Sequence, residues 1–136
     1  MSREKSQENI EIVQAVIDAG NRRDREELER LYSPEAELDW SRSRGPLRGV
    51  YRGREEIRTF SKEFYSAFED VRTVAYDFTA MGSDVVVSNT AHIKGRDGIE
   101  VVARSFFVYT VENGQITRLR MFQDRAEALE AAGLRD

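Results

Sequence analysis

Few side chains in this 136-residue sequence have the chemistry to catalyse a reaction unaided. There is no cysteine, which removes thiolate nucleophiles, disulfides and cysteine-based metal sites. The single histidine, His92, rules out a multi-histidine centre and leaves all-carboxylate ligation as the only protein-derived option. Neither a metal nor another cofactor is expected. His92 is the one imidazole, the side-chain type suited to proton transfer near neutral pH. Alternation along its segment puts it opposite Asn89, so a surface or interface role competes with catalysis. Asp124 offers a carboxylic acid for acid–base work, but Glu127 gives it the spacing of a helix capping box. Arg104 sits in a run of apolar residues, where a guanidinium needs a carboxylate, a carbonyl or a ligand anion. It is either a ligand-orienting group, a member of a structural ion pair, or a side chain reaching for the rim. Arg42, Arg44, Arg48, Arg52, Arg54 and Arg58 gather in one segment, as a solvated loop or as a collar drawing an anionic ligand.

The elements that must position these residues are legible from periodicity. Ser6 can cap a first helix whose Ile10, Val13, Val16, Ile17 and Gly20 recur at three- and four-residue spacings, leaving 1–5 as a flexible N-terminus. Asp24 and Glu27 start a second helix carrying Leu28, Leu31 and Tyr32, stopped at Ser33-Pro34. Glu35 to Trp40 alternates as a short strand. Ser41 to Gly53 reads as a loop punctuated by Gly45-Pro46 and Gly49, and Glu55 to Phe68 as a third helix burying Ile57, Phe60, Phe64 and Phe68. Strands follow over Val71–Ala80 and Val85–Lys94. The longest apolar run, Ile99 to Val111, meets Gln115–Gln123 across Asn113-Gly114, the dipeptide that best accepts a tight hairpin turn. Asp124 then caps a short C-terminal helix that Gly133 ends. Helices gathered before an antiparallel meander make one α+β domain over 1–136, with helices on one face of a curved sheet.

Composition bounds the partners. A net charge of −4 lacks the basic footprint of a general nucleic-acid binder. No apolar run reaches membrane-spanning length, and the polar MSREKSQEN start has no signal-peptide core, so a cytoplasmic protein is expected. In the ribbon, Ile99, Val101, Ala103, Phe107, Tyr109 and Val111 fall on one side. Read as the outer side, they form an apolar patch that a homodimer would cover.

The element order, with Asn21–Leu31 ahead of Ser33-Pro34-Glu35-Ala36-Glu37-Leu38-Asp39-Trp40, resembles the nuclear transport factor 2-like superfamily and its bacterial SnoaL-like proteins. Tyr51-Arg52-Gly53-Arg54-Glu55-Glu56-Ile57, Val111–Ile116 and Asp124–Leu129 carry the resemblance through the rest of the chain. It implies a cone-shaped (NTF2-like, cystatin-like) roll, a curved mixed sheet around three N-terminal helices with a pocket in the open end. It also implies ligand chemistry such as that of ketosteroid isomerases and polyketide cyclases. Aligned by turns, however, the isomerase positions hold Val16, Trp40 and Phe106, none of which is an acid, a base or an oxyanion donor of that kind. Arg104 matches an epoxide-hydrolase arginine, but Phe106 replaces its aspartate. The same alignment points Trp40, Val87, Asn89 and Ala91 inward. It does the same for Val102, Arg104, Phe106 and Val108, and for Leu119, Met121 and Gln123. The expected function is a largely apolar pocket for a small organic molecule, serving a metal-free isomerase, cyclase or lyase. The alternative is a non-catalytic binding or dimerisation module with its cavity filled by Trp40, Phe106 and Met121.

Overall fold

The computed structural model describes residues 3–43 and 47–133, so Arg44 and the expected Gly45-Pro46 turn lie outside the described residues. The elements run α1 (Arg3–Arg22), α2 (Arg25–Leu31), β1 (Tyr32–Asp39), β2 (Val50–Arg52) and α3 (Gly53–Ser66). They continue as β3 (Asp70–Met81), β4 (Asp84–Lys94), β5 (Glu100–Glu112), β6 (Gln115–Phe122) and α4 (Arg125–Ala131). Six strands form one mixed sheet in the order β2-β1-β6-β5-β4-β3, curved around the N-terminal helices as an α+β cone. Only β1–β6 is parallel; every other neighbour is antiparallel.

Local chemistry explains the boundaries. α1 opens at Arg3, so residues 3–5 are helical rather than a flexible lead-in to Ser6. It closes at Arg23, whose φ of 56° is the left-handed turn that stops a helix. Asp24 then caps α2 by accepting from the Glu27 amide at 3.1 Å. Pro34 lies inside β1 rather than before it, at the register shift between Tyr32 and Glu37 where no ladder amide is required of it. Asn113 and Gly114, at φ 52° and 78°, make the β5–β6 hairpin turn as expected. β2 stands where periodicity predicts only loop, since three residues in a glycine-rich segment give no repeat to detect.

Two cores result. On the concave face Val13, Val16 and Ala19 of α1 and Phe60 of α3 pack on Val85, Val87, Tyr109 and Leu119. The Asn21 amide ties α1 to the edge strand through both backbone groups of Thr73, each at 2.8 Å. On the convex face α4 buries Ala128 against Val86, Phe106, Val108 and Phe122. This second core corrects the expected polarity of β5. Phe106 pairs with Phe122 and Val108 with Arg120, whereas Phe107 pairs with Met121 and Tyr109 with Leu119. Val102, Arg104, Phe106 and Val108 therefore face outward, and Ala103, Phe107, Tyr109 and Val111 inward. The cause is one extra residue in β6. An unbroken hairpin from Asn113-Gly114 would pair Val108 with Leu119. Val111 pairs with Ile116 but Thr110 with Arg118, so Thr117 bulges and every pairing beyond it shifts by one. No helix among the described residues is long and apolar enough to cross a membrane.

Candidate functional site

A cavity of about 970 Å³ lies between the helices and the concave face of the sheet. The helices supply Val16, Gly20 and Leu28 on one side, with Phe60, Phe64 and Tyr65 of α3 on another. The sheet supplies Tyr32, Ala103, Ser105, Phe107, Tyr109 and Leu119. The small side chains Gly20, Ala91 and Ala103 leave room where larger residues would fill the cone. Trp40 stands at the centre of an aromatic wall: its ring centroid is 5.4 Å from Phe60, 6.0 Å from Phe64 and 5.9 Å from Phe107. The wall continues from Phe64 to Tyr65 at 5.6 Å and from Phe107 to Tyr109 at 5.9 Å, both edge-on.

Of the residues expected in the pocket, Trp40, Leu119, Met121 and Gln123 line it, as does Ala91. Val87 faces the right way but is closed into the helix-side core. Asn89 is buried behind the lining, where its amide donates to the Ser105 hydroxyl at 3.0 Å and so orients a side chain that does reach the cavity. Phe106 and Val108 lie under α4 instead, and Val102 is 61% exposed. Arg104 borders the cavity between Ala103 and Ser105, but its register partner is Thr90 and its side chain is exposed on the outer face. An inward guanidinium anchor is thus not present. A cavity filled by Trp40, Phe106 and Met121 is not formed either, since Phe106 is on the other side of the sheet.

The remaining catalytic candidates are also outside. Asp124 accepts from the amides of Ala126 at 2.7 Å and Glu127 at 3.3 Å, which is capping. His92 lies on the outer face, with Nε2 3.4 Å from the Thr90 hydroxyl. Asp39 pairs in register with Arg120 on that same face. Two carboxylates do line the cavity, Glu29 and Glu69. Glu29 accepts from Arg58, which holds it below the usual carboxylate range, and Glu69 lies 3.7 Å from Lys94. Among the described residues no three histidine, aspartate or glutamate side chains converge as a metal site. The described members of the arginine cluster disperse: Arg42 stacks over Phe122 and Arg52 pairs with Glu37, while Arg54 and Arg58 line the cavity.

Sequence reasoning passes over Tyr32, Tyr65 and Tyr109. Burial holds the Tyr32 and Tyr109 hydroxyls protonated well above the ordinary tyrosine range; an ionised Tyr65 would raise both further, and an ionised Tyr32 would raise Tyr109. Tyr65 is also raised by burial, against the pull of Arg23, whose guanidinium lies 4.5 Å over its ring. The signal open to a reader of the sequence is three polar-tipped aromatics in apolar stretches.

Residues 13–119 match the model of the SnoaL-like domain. No protein among curated sequences matches the chain. TerC, co-crystallised with polyporic acid, superposes with a TM-score of 0.78 at 22% identity, over 93% of this chain and 98% of that one. An NTF2-like protein of unknown function from Burkholderia pseudomallei gives 0.77 at 22%, over 96% and 97%. A protein with a ketosteroid isomerase-like fold from Catenulispora acidiphila, in complex with trimethylamine, gives 0.73 at 16%, over 92% and 94%. At these identities the likeness is one of fold.

Proposed function

The chain belongs to the SnoaL-like domain family, and from that premise we propose that its cavity binds one small, mainly apolar organic molecule carrying a ring. The observation that carries the reading is the open cavity of about 970 Å³ walled by Trp40, Phe60, Phe64 and Phe107. Pockets of this size, apolar with a few polar groups, are the usual form of small-molecule sites. The co-crystallisation of TerC with polyporic acid supports a small organic ligand for this fold. Among the described residues both lining carboxylates are engaged in ion pairs, Glu29 with Arg58 and Glu69 with Lys94, so the lining offers no unpaired carboxylate as a general acid or base.

Trp40 is the only tryptophan, so its emission reports occupancy directly. Titration with naphthalene is expected to change that emission saturably. The dissociation constant should be on the order of 10 μM, from ten carbons at about −0.7 kcal/mol each. Ala103→Phe, which fills the cavity from β5, is expected to abolish the change. A linear, unsaturable response, or saturation that persists in a folded Ala103→Phe protein, would refute a ligand cavity at this place.

A further inference from the structure

The chain has five tyrosines, and they divide by hydrogen bonding. Tyr51 donates to the Leu47 carbonyl at 2.7 Å, and Tyr76 shares a hydrogen with the Thr90 hydroxyl at 2.7 Å. Tyr32, Tyr65 and Tyr109 all line the cavity, and none has a hydrogen-bond partner for its hydroxyl among the described residues. They come from three walls: the start of β1, the last turn of α3 and the middle of β5. Tyr65 and Tyr109 both belong to the aromatic wall centred on Trp40, through Phe64 and Phe107. Buried phenol hydroxyls are ordinarily satisfied. Three left open toward one cavity are donors waiting for an acceptor.

Resting on the binding reading above, we infer that Tyr32, Tyr65 and Tyr109 form an oxygen-binding subsite that takes a neutral carbonyl of a ring-bearing ligand. Neutrality follows from the charges nearby. The three hydroxyls are protonated at neutral pH, as ordinary phenols are, and burial moves each further from ionising. Arg23, the cation that acts on Tyr65, lies over its ring and is 3.8 Å from Asp70, so its charge is offset. A subsite of neutral donors with a compensated arginine suits a ketone or quinone oxygen better than a carboxylate. None of the three occupies the first-helix position that Val16 holds.

The test compares 2-acetonaphthone, which adds one acceptor-only carbonyl to the same ring system, with naphthalene, read by Trp40 emission. The ketone is expected to bind more tightly than naphthalene. Tyr32→Phe and Tyr109→Phe are each expected to weaken the ketone about three- to tenfold more than they weaken naphthalene, the worth of one neutral hydrogen bond. The infrared carbonyl band of the bound ketone should move to lower frequency and move back in Tyr109→Phe. If naphthalene binds but the ketone binds no tighter, or if the tyrosine variants weaken both ligands equally, the subsite is overturned and the cavity stands. If neither compound binds, the cavity reading falls and takes the subsite with it. If 2-naphthoate binds more tightly than the ketone and loses that advantage in Arg23→Gln, the site is a carboxylate site and the neutral assignment is overturned.

Discussion

A tyrosine buried in a cavity wall makes folding sensitive to alkaline pH. Tyr109 is 3% exposed, and burial raises its folded pKa above the unfolded value near 10. Above pH 10 the unfolded chain releases this proton while the folded chain keeps it. The folded state then binds more protons, and stability falls as pH rises. The stabilisation is complete below pH 10 and drains away above it, at about 1.4 kcal/mol per pH unit for one such group. Urea midpoints measured from pH 9 to 11 should therefore fall less steeply in Tyr109→Phe than in the parent. Equal slopes would mean that Tyr109 ionises in the folded protein as freely as in water. At neutral pH the same substitution should not lower stability, because no protein hydrogen bond is lost. The sequence draws attention elsewhere, to His92, Arg104 and Asp124, because charge and imidazole are conspicuous in a string of letters. A tyrosine matters only when the fold denies its hydroxyl a partner, and no spacing rule reports that.

At the scale of the element, β5 decides what the cavity is made of. It is apolar on both faces, one packed on the helices and the other under α4, so its alternation carries no inside-or-outside label. In β4 and β6 the alternation does point Ala91, Leu119 and Met121 inward, since the opposite faces hold His92, Arg118 and Arg120. For β5 the only guide is counting from the hairpin, and the Thr117 bulge breaks the count. The existence of each helix, the Asp24 and Asp124 caps and the Asn113-Gly114 turn are legible, because each is settled between a side chain and its own backbone. By contrast, α1 opens at Arg3 ahead of Ser6, and α3 spans Gly53–Ser66 rather than Glu55 to Phe68. The two faces make a paired prediction. Phe106→Ala should cost about 3–5 kcal/mol in a urea melt, by opening a void under α4, and leave naphthalene affinity unchanged in the folded protein. Phe107→Ala should alter naphthalene affinity, since its ring is part of the Trp40 wall. If Phe106→Ala weakens the ligand and Phe107→Ala does not, the two faces of β5 are exchanged.

For the whole molecule the open question is what meets the convex face beyond α4. That helix covers Val86, Phe106, Val108 and Phe122, but the adjoining part of the sheet presents Tyr76 at 59% and Val102 at 61% exposure, beside His92 and Arg104. The patch on which the expected homodimer rests is divided: Phe107, Tyr109 and Val111 face the helices and Ala103 the cavity, while Ile99 and Val101, at the start of the ribbon, are exposed. We propose that the chain nonetheless pairs with a second copy, now through Tyr76 and Val102. An apolar sheet face is commonly closed by a two-fold axis, which sets each patch against its own copy. Light scattering at micromolar concentration should give twice the 15.7 kDa chain mass. Val102→Glu would set like charges against each other across such an axis and strip them of water, so it should drive the mass to that of one chain. Because Val102 faces away from the cavity, the monomer should still bind naphthalene with the parent's affinity. A parent that scatters as a single chain, or a Val102→Glu protein that stays paired, would show that this face is not the one through which copies meet.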